Sequence, residues 1–240
     1  MRLDVYLVST GLVQTRNRAL HLIKTGMVFV NGKQEIKQSR SVEPSDIIKL
    51  KEEFRYVSRG GYKIEKIFQN SGLAVSGSEV LDLGCSTGGF SDFFLQNGAL
   101  KVIGVDIADE KPHKKIMTDP RFIFRGGVDV RNADALYAAA EGKKYDFISI
   151  DLNNVCLTAF LSRAAQLLKK GGLLVVLFKP PYETGSKVIA PDKLGVITAS
   201  FVKEIAPQFV ILKSDVSPIR GGALNRGTME ALFLLRPREF

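Results

Sequence analysis

Two sets of residues in this chain are spaced for chemistry. The first is the run Val80-Leu81-Asp82-Leu83-Gly84-Cys85-Ser86-Thr87-Gly88-Gly89-Phe90, an apolar strand breaking into a glycine-rich turn, with a second strand ending at Gly104-Val105-Asp106. Glycines let the backbone approach a ligand closely, and an acidic residue closing the next strand accepts hydrogen bonds from two ribose hydroxyls. The pairing predicts a pocket for an adenosine-containing cofactor, with Asp106 on the ribose and Asp82 bracing the turn. A dinucleotide site would read G-x-G-x-x-G, whereas this turn reads G-x-x-x-G-G, and no lysine follows the glycines as in a phosphate-cradling loop.

The second set is Lys63, Asp151, Lys179 and Glu230, four ionisable residues far apart in sequence. Lys63 lies in Ser58-Arg59-Gly60-Gly61-Tyr62-Lys63, which we place just ahead of the first helix of its domain. Asp151 ends the strand Phe147-Ile148-Ser149-Ile150, and Glu230 opens the last strand. Lys179 follows the apolar strand Leu173–Phe178 and precedes Pro180-Pro181, which stop the strand and fix a turn.

These residues need a scaffold of alternating elements. Strands are predicted near Val80–Leu83, Lys101–Val105, Arg121–Phe124, Phe147–Ile150, Leu173–Phe178, Phe209–Lys213 and Ala231–Leu235, with helical stretches between them. Such alternation implies an α/β domain with a mostly parallel sheet of about seven strands, covered by helices on both faces. A cofactor then lies at the carboxyl ends of the strands, where Gly84, Asp106 and Asp151 fall.

The first fifty residues read as a separate α+β unit. Leu3, Tyr6 and Leu7 share one helical face, ended by Gly11, and a second helix runs from Thr15 as N-cap through Ile23 to Gly26. Val28-Phe29-Val30 then meets Asn31-Gly32, a hairpin signal, and a strand Ile47–Leu50 follows. The expected boundaries are 1–52 for this unit, 53–57 for a charged linker, and 58–240 for the larger domain.

The chain has 240 residues, 45% of them hydrophobic, enough to bury a sizeable core. No run approaches the ~20 apolar residues of a membrane span, and Met1-Arg2-Leu3-Asp4 opens no signal peptide, so a cytoplasmic protein with no membrane partner is expected. Cys85 and Cys156 lack metal-ligand spacing, and His21 and His113 lie far from either, which argues against a metal site or a Cys–His nucleophile. The net charge of +9 is shared by both ends: residues 1–55 carry 10 Lys/Arg against 6 Asp/Glu, and residues 56–240 carry 24 against 19. In an α/β protein that excess suggests a polyanionic partner such as RNA.

The glycine turn resembles motif I of S-adenosylmethionine-dependent methyltransferases. R-L-D-x-Y-L followed by T-R-x-x-A-x-x-L-I-x-x-G-x-V-x-V-N-G resembles the αL RNA-binding domain of a small-subunit ribosomal protein. Together with Y-x-S-R-G-G-x-K, D-x-G-x-S-T-G-G-F-x-D, I-D and K-P-x-x-E, the whole chain resembles the TlyA, or haemolysin-A-like, proteins. These join the αL domain to an FtsJ-like ribose 2′-O-methyltransferase domain of Rossmann-like fold.

The resemblance implies methylation of ribosomal RNA, free or in assembled subunits, with S-adenosyl-L-methionine as cofactor. No obligate protein partner is implied. The family's Lys-Asp-Lys-Glu tetrad falls on Lys63, Asp151, Lys179 and Glu230; its cofactor contacts fall on Gly84, Ser86, Gly88 and Asp106, with Asp129 at the adenine amino group. Its phosphate contacts fall on Arg2, Arg16, Arg18, Lys24 and Lys33. The chemistry suits these residue types, because a ribose hydroxyl is a poor nucleophile until a base within hydrogen-bond reach takes its proton. We read Lys179 as that base, Lys63 as holding the target nucleotide, and Asp151 and Glu230 as orienting the lysines.

The chain departs from the family at Asp151-Leu152-Asn153-Asn154-Val155-Cys156-Leu157, in place of D-V-S-F-I-S-L, and at Gly227-Thr228-Met229-Glu230 after a short insertion, Arg220 to Arg226. The stretch from Phe124 to Arg131 also lacks the family's E-R-x-N. Rival readings are a non-catalytic RNA-binding or ribosome-assembly factor that keeps the fold, a membrane-lysing protein, and a small-molecule methyltransferase that would leave the N-terminal unit unexplained.

Overall fold

The structure, a computed structural model, describes residues 1–24, 26–50, 55–185, 189, 193–219 and 229–238. The chain divides into two compact units, Met1–Arg55 and Tyr56–Phe240. Residues 53 and 54 of the expected linker and the stretch 220–226 lie outside the described residues.

In the first unit, helices α1 (Leu3–Ser9) and α2 (Arg16–Lys24) pack with strands β1 (Val28–Val30), β2 (Lys33–Glu35) and β3 (Ile48–Leu50). The antiparallel sheet has the order β2-β1-β3. Asn31 and Gly32 both take positive φ, as a two-residue hairpin loop requires. The Asn31 side chain is pinned as well, donating to Asp46 at 2.6 Å and accepting from the Ile47 N–H at 2.8 Å. The core is small and aliphatic, built around Leu3, Leu7, Leu22, Ile23, Val28 and Val30.

The second unit opens with α3 (Arg59–Phe68) and alternates β4 (Glu79–Leu83), α4 (Gly89–Gln96), β5 (Lys101–Val105), α5 (Lys114–Met117), β6 (Phe122–Arg125), α6 (Ala133–Ala139), β7 (Tyr145–Ile150) and α7 (Leu157–Ala165). Then come β8 (Leu168–Phe178), α8 (Pro180–Thr184), α9 (Leu194–Ile205), β9 (Phe209–Val216) and β10 (Ala231–Pro237). The sheet order is β6-β5-β4-β7-β8-β10-β9, parallel as far as β8 and antiparallel at β10 and β9.

Alternation along the central strands divides the core in two. Leu81, Leu83, Ile148, Ile150, Leu174 and Val176 face one side with α6, α7 and α9, whereas Val80, Phe147, Leu173, Val175 and Leu177 face the other with α3 and α4. The chain leaves β4 toward β5 and β6, then returns to β7 on the other side of β4. The carboxyl ends of β4 and β7 therefore flank the point where strand order reverses, the usual ligand crevice of such a sheet.

Two expectations are corrected. Lys63 stands inside α3, not ahead of it: the helix starts at Arg59, where the Ser58 side chain caps it by accepting from the Gly60 N–H. The Gly60-Gly61 pair is there for packing, since a Cβ on Gly61 would lie 2.2 Å from the Tyr56 ring. Tyr56 and Val57 also belong to the second unit and not to a linker. Both are buried, Tyr56 stacks edge-on against Tyr62, and the Val57 N–H donates to Asp92 at 2.7 Å.

Candidate active site

A cavity of about 200 Å³ opens at the carboxyl ends of β4 and β7. Its walls are the 58–63 stretch that starts α3, the glycine turn 84–90, and Asp151. Gly84 takes φ +83, and a Cβ there would lie 2.4 Å from the Asp151 carbonyl oxygen, so only glycine lets the two strand ends approach. Gly89 is as tightly placed, because its Cβ would fall 2.1 Å from Ser58 Oγ and 2.9 Å from the Gly61 nitrogen. The first turns of α3 and α4 thus meet backbone to backbone beside the cavity.

Ser86 adopts φ +48 and its N–H donates to Asp106 Oδ2 at 2.8 Å, while the Ala108 N–H donates to Oδ1 at 2.9 Å. The Asp106 carboxylate is thereby fixed at the end of β5, next to the turn. Gly88, with φ +90, is the N-cap of α4 and packs beneath Ile116 instead of lining the cavity. Asp129 stands apart, ion-paired with Arg131 at 2.7 Å, and that guanidinium holds its carboxyl down to about 2. The neighbouring Val128 N–H does reach the Asp106 carbonyl, at 2.9 Å.

The four candidate catalytic residues form two ion pairs. Lys63 Nζ lies 2.5 Å from Glu230 Oε2, and Lys179 Nζ lies 2.5 Å from Asp151 Oδ1. Lys63, Lys179 and Glu230 are buried, while the Asp151 side chain keeps 27% exposure toward the cavity. Strand register explains the grouping. Ala231 is paired with Phe178, which brings Glu230 and Lys179, one residue beyond each, to the same end of the ladder. Leu83 pairs with Ile150, which sets Gly84 beside Asp151. Pro180-Pro181 end β8 and open α8, leaving Lys179 extended as its N-cap.

Sequence reasoning missed four contributors. Asn153 Oδ1 accepts from Lys179 Nζ at 2.9 Å, so this ammonium is held from two sides, with the Tyr182 ring 6.0 Å away. No spacing rule pointed to an asparagine three residues past a strand end. Ser58, Arg59 and Gly60 line the cavity too, and the signal for them was the same S-R-G-G run that supplied Lys63.

Below the turn, Asp82 is fully buried and accepts from Ser91 Oγ at 2.6 Å and Ser149 Oγ at 2.7 Å, tying α4 and β7 to β4. Burial pushes its carboxyl up to about 6 against the help of those two hydroxyls. Burial also pushes the Cys85 thiol up, with Asp82 and Asp106 adding to the effect, so Cys85 is a packing residue rather than a nucleophile.

In the first unit, Arg2 and Arg16 converge on the buried Asp4, at 2.9 and 3.0 Å, which holds both guanidinium groups in place at the surface. Arg18 is partly exposed on α2, Lys24 is exposed at the end of the same helix, and Lys33 is exposed on β2.

The family model for FtsJ-like methyltransferase matches residues 56–214, and that for the S4 domain matches residues 1–48. Hemolysin A of Brachyspira hyodysenteriae is 30% identical over 94% of this chain and 96% of its own length. The 23S rRNA (cytidine-2'-O)-methyltransferase TlyA of Campylobacter jejuni is 31% identical over 82% of this chain and 81% of its own. A solved structure from Streptococcus thermophilus, described among the hemolysins, is 31% identical and superposes with a TM-score of 0.74 over 100% of this chain and 89% of its own. Among the described residues no helix is long and apolar enough to cross a membrane. With a methyltransferase sheet, a glycine-walled cavity at its switch point and an S4 domain ahead of it, the chain belongs to the FtsJ-like methyltransferase family.

Proposed function

We propose that this protein transfers a methyl group from S-adenosyl-L-methionine to a ribose 2′-hydroxyl of ribosomal RNA, working in the cytoplasm where that substrate is made. The observation that carries the reading is the pair of buried lysine–carboxylate contacts, Lys63–Glu230 and Lys179–Asp151, at the strand ends beside the glycine-walled cavity. S-adenosylmethionine, when bound, supplies an electrophilic methyl on a sulfonium. The bare backbone of Gly84 and Gly89 and the fixed Asp106 carboxylate fit such a ligand: Gly84 and Ser86 for its methionine end, Gly88 as the turn's hinge, Asp106 for the ribose and Asp129 for the adenine.

Lys179 Nζ would take the proton of the 2′-hydroxyl, freeing that oxygen to accept the methyl that the bound cofactor would supply. Asp151 and Asn153 hold the Lys179 nitrogen toward the hydroxyl. Lys63, anchored by Glu230, binds the target nucleotide. General-base help of this kind is worth roughly two to four powers of ten, and alignment of oxygen and methyl adds more. Arg2, Arg16, Arg18, Lys24 and Lys33 of the first unit bind RNA phosphates, with Arg2 and Arg16 preset by Asp4. The name of the Campylobacter relative specifies ribose methylation of ribosomal RNA, and its 31% identity over 82% of this chain supports the same class of substrate.

The test is transfer of a radiolabelled methyl to unmodified bacterial ribosomal subunits and to their extracted RNAs, comparing the intact chain with Lys179→Ala. Label that protects one linkage from alkaline hydrolysis is expected with the intact chain. The substitution should lower turnover at least a hundredfold while cofactor affinity stays within twofold. Cofactor binding without label in any RNA would overturn the enzymatic reading and leave an RNA-binding factor.

A further inference from the structure

The opposite end of the methyltransferase sheet carries a second and larger concavity, of about 730 Å³. Among the described residues its charged lining is all cationic: Lys144, Lys169, Lys170, Arg236 and Arg238. Lys144 immediately precedes β7, Lys169 and Lys170 lie near the start of β8, and Arg236 is the penultimate residue of the antiparallel β10. From Gly172 to Lys179 along β8 is roughly 20 Å at about 3.3 Å per residue, so this groove is remote from the cavity at the other strand ends.

Some of the described surface cations of this unit are paired with carboxylates. Lys101, Arg125 and Lys143, for example, all reach Glu141, at 2.8, 3.2 and 3.2 Å. Among the described groove residues only Lys169 is so paired, tied from behind to Glu79 at 2.8 Å and Asp146 at 2.9 Å. Among the described residues Lys144, Lys170 and Arg236 are exposed and make no ion pair. Between them Gly171, at φ +78, leaves open space where a side chain would stand, which permits close approach by an anionic chain. A concave, single-sign surface focuses potential and favours a polyanion over small counter-ions.

We infer that this groove binds the phosphodiester backbone of a segment of the RNA substrate distant from the target nucleotide. The inference rests on the RNA-methylating reading. Its probe is protein-free ribosomal RNA from unmodified bacterial subunits, bound by the full chain and by the triple variant Lys144→Gln, Lys170→Gln, Arg236→Gln, from 50 to 300 mM KCl in the absence of methyl donor. Each phosphate contact contributes about 0.7–0.9 to the slope of log affinity against log salt. The variant is therefore expected to lose about two to three from that slope, and to bind at least tenfold more weakly at 100 mM salt.

Its KM for RNA should rise in step, with kcat and cofactor affinity within twofold of the parent. An unchanged slope and KM would overturn the inference, as would weaker binding to assembled subunits with free RNA unaffected, which would make the partner a protein. If the triple variant loses its parental melting temperature, the single exposed substitution Lys170→Glu carries the same test. A parent chain that binds RNA with a groove-dependent slope but transfers no methyl refutes the catalytic reading alone.

Discussion

Asp4 and Asp82 are both completely buried, yet their surroundings push them in opposite directions. Asp4 sits against Arg2 and Arg16, whose guanidinium groups hold its carboxyl below the usual range. Asp82 has only neutral hydrogen-bond partners, the Ser91 and Ser149 hydroxyls and the Ser91 backbone N–H, and rises to about 6 through burial. Because the folded protein keeps a proton on Asp82 that the unfolded chain has released, its contribution to stability is full below about pH 3.8 and fades as pH rises to about 6. The Asp82→Asn variant should lack this component: relative to the parent it gains stability between pH 4 and pH 6.5, by roughly 3 kcal/mol from about 1.4 kcal/mol per pH unit. Urea unfolding of both proteins across that range checks it, and parallel pH profiles would refute it. At this scale the sequence exposed Lys179, since an apolar run ending in Lys-Pro-Pro leaves the lysine at a strand end. It did not expose Asn153, because hydrogen bonding across 26 residues leaves no mark in local spacing.

Glycine at position 84 decides how closely β4 and β7 end together. Replacing it forces a Cβ to 2.4 Å from the Asp151 carbonyl oxygen, a backbone atom with no rotamer to yield, at a φ that L-residues resist. Gly84→Ala is expected to destabilise the second unit by about 1–3 kcal/mol and to weaken S-adenosylmethionine binding at least tenfold. Denaturant titration and calorimetry read the two effects, and unaltered affinity would remove Gly84 from the cofactor site. The elements were legible where strands are apolar on both faces, as in Val102–Val105 or Leu173–Phe178. They were not where a strand is polar: β2 is Lys33-Gln34-Glu35, and the first part of β8 runs through Lys169-Lys170-Gly171-Gly172, residues that read as a turn. Lys63 was misplaced for a related reason. A Gly-Gly pair normally weakens a helix start, and only the tight packing on Tyr56 and α4 accounts for it here.

Each unit has a core of its own, aliphatic in the first and mixed aliphatic and aromatic in the second, which is the physical basis for treating them separately. Removal of residues 1–55 is therefore expected to leave S-adenosylmethionine affinity within twofold while weakening ribosomal RNA binding at least tenfold, as filter binding would show. Equal RNA binding would mean that the first unit does not serve the substrate. The sheet order has a further consequence for how the protein comes to life. Strand β10 is the last of the sheet to be made, yet it lies between β8 and β9, and it delivers Glu230 to Lys63 across a separation of 167 residues. At about 5–20 residues per second, translation takes roughly ten to thirty seconds to cover that interval. Until then a nascent chain has a gapped sheet and an unanchored Lys63. The candidate site is thus completed late, only after β10 has been made and has taken its place between β8 and β9.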